Sequence, residues 1–346
     1  MKIKNREALF LTVNFVTVKI LTASLEIITN IGKSAAWLVF LINTAVSIIM
    51  FLAIYALYKK SGSRDIFLCL PSFLKKAVGV ASAFYFIVSA SFMLDILIKG
   101  VIRSFMPESP ELFISVFFIT AIIFAARSGI RNVISLSMGI TPLLCFVILL
   151  SVMLLPYSDF NNLFPLLAEN DFYLSGVLFL NFFSDFFLFI LMMPYLENKD
   201  KALKTGLTAI LISFLISLII ILSSTLTIPY EAGLFSPFYY MASFLSGSRS
   251  AVNFVKILKL CFLLNFFLYF ATAVSFSAES LKRSFSLKYE KELTIILSLI
   301  LLLLLNPIGE GDVLSLYEEF IKYSFIIFPL VPLLVYAFAR KEKNIN

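Results

Sequence analysis

The chain has 346 residues, of which 60% are hydrophobic and 14% charged, and its mean hydropathy is +0.99. A soluble domain cannot bury so much apolar side chain, whereas a bilayer solvates it, so the composition predicts an integral membrane protein. The net charge of +7 is spread over short segments, which argues against a nucleic-acid partner. The chain contains no histidine, which excludes His-based catalysis and His metal ligands.

Ten long apolar runs follow one another, and most reach the roughly 20 residues that a helix needs to cross a bilayer. Because these runs are continuous rather than alternating, they favour helices over barrel strands. We predict transmembrane helices at 7–29, 35–58, 77–99, 109–126, 133–155, 172–193, 203–226, 253–276, 292–306 and 319–339.

The segments between these runs are alternately rich and poor in Lys and Arg. If the N-terminus is cytoplasmic, the inner segments hold most of the 28 basic residues, and the outer segments hold only Lys33, Lys99, Arg103 and Arg249. Cytoplasmic loops carry an excess of Lys and Arg. The sequence therefore predicts that both termini are cytoplasmic.

Five predicted helices precede the loop 156–171 and five follow it. Because five is odd, the second half enters the membrane from the opposite side. Residues 7–155 and 172–339 can then form inverted repeats within a single transmembrane domain, as in many secondary transporters. The predicted fold is thus an all-α integral membrane protein of about ten helices in a five-plus-five inverted repeat. The first run has no Gly or Pro between Arg6 and Thr29, so its composition gives little support for unwinding.

Charged residues within the first run need a reason, because a charge inside a bilayer is costly. Lys19 and Glu26 are seven residues apart, on one helix face and about 10 Å apart along the axis, with Thr22 between them. They cannot pair directly within the helix. We expect a ligand or ion site here; the alternative is that Glu26 reaches the outer interface and Lys19 pairs structurally with another helix.

The sixth run carries Asn181, Ser184 and Asp185 on one stripe at i, i+3 and i+4. Asp185 has no Lys or Arg within a turn, so it is either protonated or holds a cation or a ligand amine. The alternative is a protonated Asp185 in an interhelical hydrogen bond.

The eighth run contains Lys256, which is close enough to the outer surface to snorkel, and Lys259, which lies about 4–5 Å deeper. Lys259 is a candidate partner for Asp185 or Glu26. The predicted ligand-binding residues are therefore Lys19, Thr22, Glu26, Asn181, Ser184, Asp185 and Lys259.

Enzyme signatures are absent: the chain has no P-loop and no GxGxxG, HExxH or GxSxG motif. The cysteines, Cys69, Cys145 and Cys261, are far apart, which argues against a disulfide framework or a zinc site. We therefore predict no catalytic residues, no metal and no cofactor, and we exclude ATP-driven transport by this chain alone.

Three segments together resemble one family. These are Ser109-Pro110 with the later Gly129-Ile130-Arg131, the stretch DFNNLFPLL at 159–167, and SDFFLFILMMPYLENKDKALK at 184–204. The pattern resembles the endospore germination permeases, the multispan B subunits of nutrient germinant receptors. Asp185 then stands at the family's acidic position. Ser184 replaces the family's glycine, Lys19 replaces an uncharged residue, and 253–256 lack the family's carboxylate.

The resemblance implies a fold similar to the amino acid–polyamine–organocation transporters. It also implies a sensor of a small nutrient, such as an amino acid, that works beside an A subunit and a C-subunit lipoprotein in the spore inner membrane. Two alternatives remain. One is a proton- or sodium-coupled amino acid secondary transporter, with Glu26 or Asp185 as the coupling carboxylate. The other is a structural membrane subunit.

Overall fold

The computed structural model describes residues 2–24, 33–106, 108–164, 184–227, 249–305, 316–317, 319–320 and 330–338. Within these ranges the chain is helical, and its strand-like pairing is limited to one isolated bridge between Ile3 and Leu196. The helices are α1 Asn5–Lys19, α2 Ala36–Lys60, α3 Ser72–Phe105, α4 Glu111–Arg127, α5 Ile130–Ile140, α6 Cys145–Leu154, α7 Phe187–Met192, α8 Ala202–Thr227, α9 Arg249–Phe285, α10 Glu290–Leu305 and α11 Leu330–Phe338.

Five helical segments in the described part of the chain are long and apolar enough to cross a membrane: Ala36–Lys60, Ser72–Ile102, Ile130–Tyr157, Lys199–Thr227 and Lys256–Phe285. A shorter apolar helix covers Ser184–Tyr195. The predicted all-α membrane class is confirmed. The ten-helix count and the inverted repeat stay predictions.

The fifth predicted run is interrupted at its centre. A 3₁₀ turn at Thr141–Leu144 separates α5 from α6. Pro142 explains the break, because proline has no N–H to donate and its ring clashes with the preceding turn. The hydrophobicity of the fifth run alone does not reveal this break.

Helix α1 lies at the centre of the bundle and contacts α5, α7, α8 and α9. Every residue from Leu11 to Lys19 is buried, so no face of this stretch is left for solvent or lipid. Two hydroxyls tie α5 and the turn after it to α1: Ser137 donates to the carbonyl of Glu7 at 3.3 Å, and Thr141 donates to that of Phe10 at 3.0 Å.

Helices α3 and α9 pack closely along each other. A Cβ atom added at Gly79 would lie 1.7 Å from Ser284 Oγ, so glycine is what allows this approach. Further along the same contact, Ser277 donates to the carbonyl of Ala83 at 3.2 Å. The close packing brings the central residues of α3 against α9.

Segments that the sequence assigns to the cytoplasm gather at one end of the bundle. Ile3 N–H donates to the Tyr195 carbonyl, and Glu197 N–H donates to the Ile3 carbonyl, both at 2.9 Å. The side chain of Asn5 donates to the carbonyl of Asn198 at 3.1 Å. The start of the chain is therefore held against the segment that follows α7.

A polar cluster at this same end, the Arg283 cluster, consists of Asp65, Tyr195, Glu279 and Arg283. Arg283 Nε is 2.8 Å from Glu279 Oε1, and Arg283 Nη1 is 3.5 Å from Asp65 Oδ2. The guanidinium lies 4.2 Å from the centre of the Tyr195 ring, and the Tyr195 hydroxyl donates to Asp65. The cluster joins the end of α9 to the α2–α3 loop and to the segment after α7.

Candidate functional site

A fully buried ion pair lies at the centre of the bundle. Lys19 Nζ is 3.1 Å from Asp185 Oδ1, and neither side chain has any exposed surface. The two residues belong to the first and sixth predicted helices and are 166 positions apart in sequence. The structure thus places together the two charges that the sequence singles out in these runs.

The chain geometry changes at both members of the pair. Regular α-helix ends at Lys19 and continues as a π-helical turn, Ile20–Ser24, and Asp185 lies in the turn just before α7. The predicted first helix is therefore not uniform over 7–24. A π turn needs neither Gly nor Pro, which is why composition did not reveal it, and such turns are frequent at functional sites.

The hydroxyl side chains of Tyr85 and Ser184 form hydrogen bonds with the ion pair. Lys19 Nζ donates to the Tyr85 hydroxyl at 2.8 Å and to Ser184 Oγ at 3.0 Å. Tyr85 donates to Asp185 Oδ1 at 2.6 Å and lies in hydrogen-bond contact with Ser184. An ammonium has three donors, so Asp185, Tyr85 and Ser184 together use all of them.

One oxygen atom of the Asp185 carboxylate is left without a hydrogen-bond donor among the described residues. Asp185 Oδ1 receives hydrogen bonds from Lys19 and Tyr85, whereas the buried Oδ2 has no hydrogen-bond partner among the described residues. Buried polar atoms without a partner are rare and need an explanation. Within the described residues the carboxylate lacks one hydrogen-bond donor, which an ammonium, an amide or a hydroxyl can supply.

Aromatic side chains surround the pair. The Phe15 ring stacks on Tyr269 with centroids 4.3 Å apart, and the Tyr85 ring stacks on Phe320 with centroids 5.8 Å apart. The Tyr269 hydroxyl is 3.0 Å from Ser89 Oγ, which links α9 to α3. This shell keeps water from the ion pair, so the charges interact in a medium of low dielectric constant.

A second polar contact crosses the core one to two turns from Lys19. Asn14 on α1 donates to Asn265 Oδ1 on α9 at 2.6 Å, and both side chains are fully buried. The Asn265 amide in turn donates to the carbonyl of Cys261 at 2.7 Å. The contact fixes the register of α1 against α9.

Six of the seven predicted site residues divide into three groups. Lys19, Ser184 and Asp185 are brought together. Thr22 is buried on the next turn, and its hydroxyl lies 2.8 Å from the Val18 carbonyl and 3.2 Å from Met93 Sδ. Glu26 and Asn181 lie outside the described residues.

The proposed partner of Asp185 needs correction. The structure pairs Asp185 with Lys19, not with Lys259. Lys259 is half-buried near the start of α9, ten residues before Tyr269, or about 15 Å along the helix axis. The sequence could not rank the two lysines, because both lie in apolar runs and neither is near Asp185 along the chain.

Tyr85 and Tyr269 are site residues that the sequence analysis missed. Tyrosine is amphipathic and common in membrane helices, so neither stood out from its run. A usable signal was present in α3, where Tyr85 and Ser89 lie one turn apart on a face with Ser82. Among the described residues, no group of three His, Cys, Asp or Glu is arranged to hold a metal ion.

Comparison with known proteins agrees with this architecture. The fold is similar to that in the crystal structure of MhsT in complex with L-phenylalanine, with a TM-score of 0.68, 15% identity, and coverage of 96% of this chain and 88% of that one. At this identity the likeness shows a shared fold and no more. No curated protein matches the chain. Residues 2–313 match the family model for spore germination proteins, so the chain belongs to the spore germination permease family.

Proposed function

We propose that this chain is the transporter-like membrane subunit of a germinant receptor, and that it binds a small nutrient, an amino acid, at the Lys19–Asp185 pair. Binding triggers germination together with an A subunit and a C-subunit lipoprotein. The observation that carries the proposal is the fully buried ion pair between the end of α1 and the start of α7. Family membership supports the germination role.

A structural role alone explains this pair poorly. Taking two charges out of water costs free energy that their attraction often fails to return, so apolar residues of similar size would hold the helices together as well or better. Ion pairs inside membrane bundles are accordingly a mark of ligand or ion pathways. Asp185 Oδ2 is one of eleven buried side-chain atoms without a hydrogen-bond partner among the described residues, and it supports a ligand because it belongs to the buried ion pair.

The hydrogen bonds that Lys19 and Asp185 already form favour a ligand that carries an amine. The donors of Lys19 are already used within the group, so Lys19 has none left for a ligand carboxylate. Asp185 Oδ2 accepts, and an amino acid supplies an ammonium with three donors. We therefore assign the amine end of the ligand to Asp185, with Ser184 and Thr22 close by.

The remaining predicted residues keep their proposed roles. Glu26 and Asn181 stay candidates for the ligand site, and Lys259 stays a candidate for a second contact. The proposed topology is the ten-helix inverted repeat in the spore inner membrane, with both termini cytoplasmic. The gathering of Ile3, Asp65, Asn198 and Arg283 at one end of the bundle supports that orientation.

Sensing requires two states of the bundle, because a ligand shifts an equilibrium only by its difference in affinity for the two. The π turn after Lys19 and the 3₁₀ turn at 184–186 are places where α1 and α7 can change direction. A ligand on Asp185 lies against both turns. A movement of α1 and α7 at these turns reaches the partner subunits through the ends of the two helices.

The second candidate is an amino acid secondary transporter coupled to protons or sodium. The likeness to the MhsT structure, which holds L-phenylalanine, favours it, and Asp185 is then the coupling carboxylate. Purified chain in liposomes separates the two. Gradient-driven amino acid uptake without any partner subunit favours the transporter, and its absence favours the receptor.

The site is tested by germination of spores that carry Asp185→Asn. The control is Asp95→Asn, which removes an equally buried carboxylate, also paired with a lysine, about 15 Å from Tyr85 along α3. We expect Asp185→Asn to lose nutrient-triggered germination at normal protein level and Asp95→Asn to retain it. Wild-type germination of the Asp185→Asn spores would contradict the assignment of Asp185 to the ligand site.

A further inference from the structure

One face of α3 carries an open apolar groove near the start of the helix. The groove has a volume of about 540 Å³, and its lining consists of Phe73, Lys76, Ala77, Val80, Ala81 and Phe84. The two aromatic rings at its ends are strongly exposed, at 80% for Phe73 and 63% for Phe84. Between them the short alanine side chains leave a depression.

The groove has a cationic end. Lys76 lines it directly, and its Nζ lies 5.8 Å from the centre of the Phe285 ring at the end of α9. Lys75 is its neighbour in the same first turns of α3. Neither lysine forms an ion pair with any carboxylate in the described ranges.

The apolar part of the groove lies on one side of Lys76. Lys76 and Phe84 are eight residues apart, which is about 12 Å along a helix axis. Half of a hydrocarbon core of about 30 Å is slightly longer than this. The apolar part therefore accommodates most of an acyl chain of one leaflet whose headgroup lies at Lys76.

We propose that the groove is a binding site for an anionic phospholipid, with the headgroup phosphate on Lys76, which lines the groove, and on its sequence neighbour Lys75, and with one acyl chain along Ala77 to Phe84. The positive charge of Lys76 and the apolar surface below it are complementary to such a lipid. Basic sites between membrane helices recognise anionic headgroups in this way.

The test is native mass spectrometry of the full chain in detergent, titrated with phosphatidylglycerol or with phosphatidylcholine of the same acyl chains. Each lysine near a membrane surface contributes enough attraction for about a fivefold change in affinity. We expect Lys76→Gln to lower the preference for phosphatidylglycerol about fivefold, and Lys75→Gln with Lys76→Gln to lower it about thirtyfold.

Two further variants separate the groove from general surface charge. Lys60→Gln removes an exposed lysine at the end of α2 and should leave the preference unchanged. Ala77→Trp fills the groove and should weaken phosphatidylglycerol binding although both lysines remain. The proposal is overturned if the double lysine variant keeps the wild-type preference, if Lys60→Gln lowers it equally, or if free glycerol phosphate displaces the lipid completely.

Discussion

The ammonium of Lys19 lies 3.1 Å from the carboxylate Oδ1 of Asp185, in a position where neither side chain reaches solvent. The pair joins the end of α1 to the start of α7 and leaves Asp185 Oδ2 without a hydrogen-bond partner in the described part of the chain. A buried ion pair, a change in helix geometry and the proposed ligand site therefore coincide at one contact.

The pair should show strong thermodynamic coupling. Lys19→Met leaves Asp185 as an uncompensated buried carboxylate, which we expect to cost about 3–5 kcal/mol. Adding Asp185→Asn removes that charge, so the double variant should be more stable than Lys19→Met alone. Thermal unfolding of the four proteins in detergent gives the coupling energy as a double-mutant cycle. Additive effects of the two changes would mean that the pair does not form.

Tyr85 should set sensitivity to the nutrient. Tyr85→Phe removes the hydroxyl that donates to Asp185 and accepts from Lys19. The lost hydrogen bonds should raise the nutrient concentration for half-maximal germination on the order of tenfold. Tyr289→Phe, at an exposed position, is the matched control and should leave the dose response unchanged.

Gly79 should be intolerant of any side chain. Gly79→Ala places a methyl group against Ser284, which forces α3 and α9 apart and should cost about 1–3 kcal/mol. Combining it with Ser284→Gly removes the obstructing side chain and should restore most of the loss. Gly139→Ala is the control, because nothing lies within 4 Å of the added atom. Thermal unfolding measures all three; equal stability of Gly79→Ala and wild type would contradict the packing.

The Arg283 cluster should restrict the access of thiol reagents to Cys69. This cysteine lies in the α2–α3 loop, four residues after Asp65. Burial raises the pKa of the Cys69 thiol, so the reactive thiolate is scarce at neutral pH. With Cys145 and Cys261 replaced by serine, maleimide labelling should therefore be slow at pH 7 and rise about tenfold per pH unit up to the raised pKa.

Arg283→Ala removes the guanidinium that holds Asp65, Glu279 and Tyr195 together. The α2–α3 loop should then open more often, and Cys69 labelling at a fixed pH should accelerate severalfold. Lys59→Gln, which breaks the exposed pair with Asp200 at the same end, should not change the rate. An equal effect of both substitutions would point to general surface charge instead.

The sequence predicted the helical membrane class and singled out Lys19 and Asp185, because charges stand out against apolar runs. It could not predict that these two pair, since a contact over 166 positions depends on tertiary packing. The π turn after Lys19 could not be predicted, because its residues, Ile20 to Ser24, include neither Gly nor Pro. Tyr85 escaped notice because a tyrosine in an apolar helix is unremarkable until its partners are known.

The most direct test of the ligand site is a thermal-shift screen of purified chain against the standard amino acids, each at millimolar concentration, in wild type and Asp185→Asn. A ligand that binds only the folded state raises the unfolding temperature by mass action. The account predicts that at least one amino acid stabilises the wild type and that Asp185→Asn, although folded, loses the shift. A shift of equal size in both proteins would contradict the assignment of the ligand amine to Asp185.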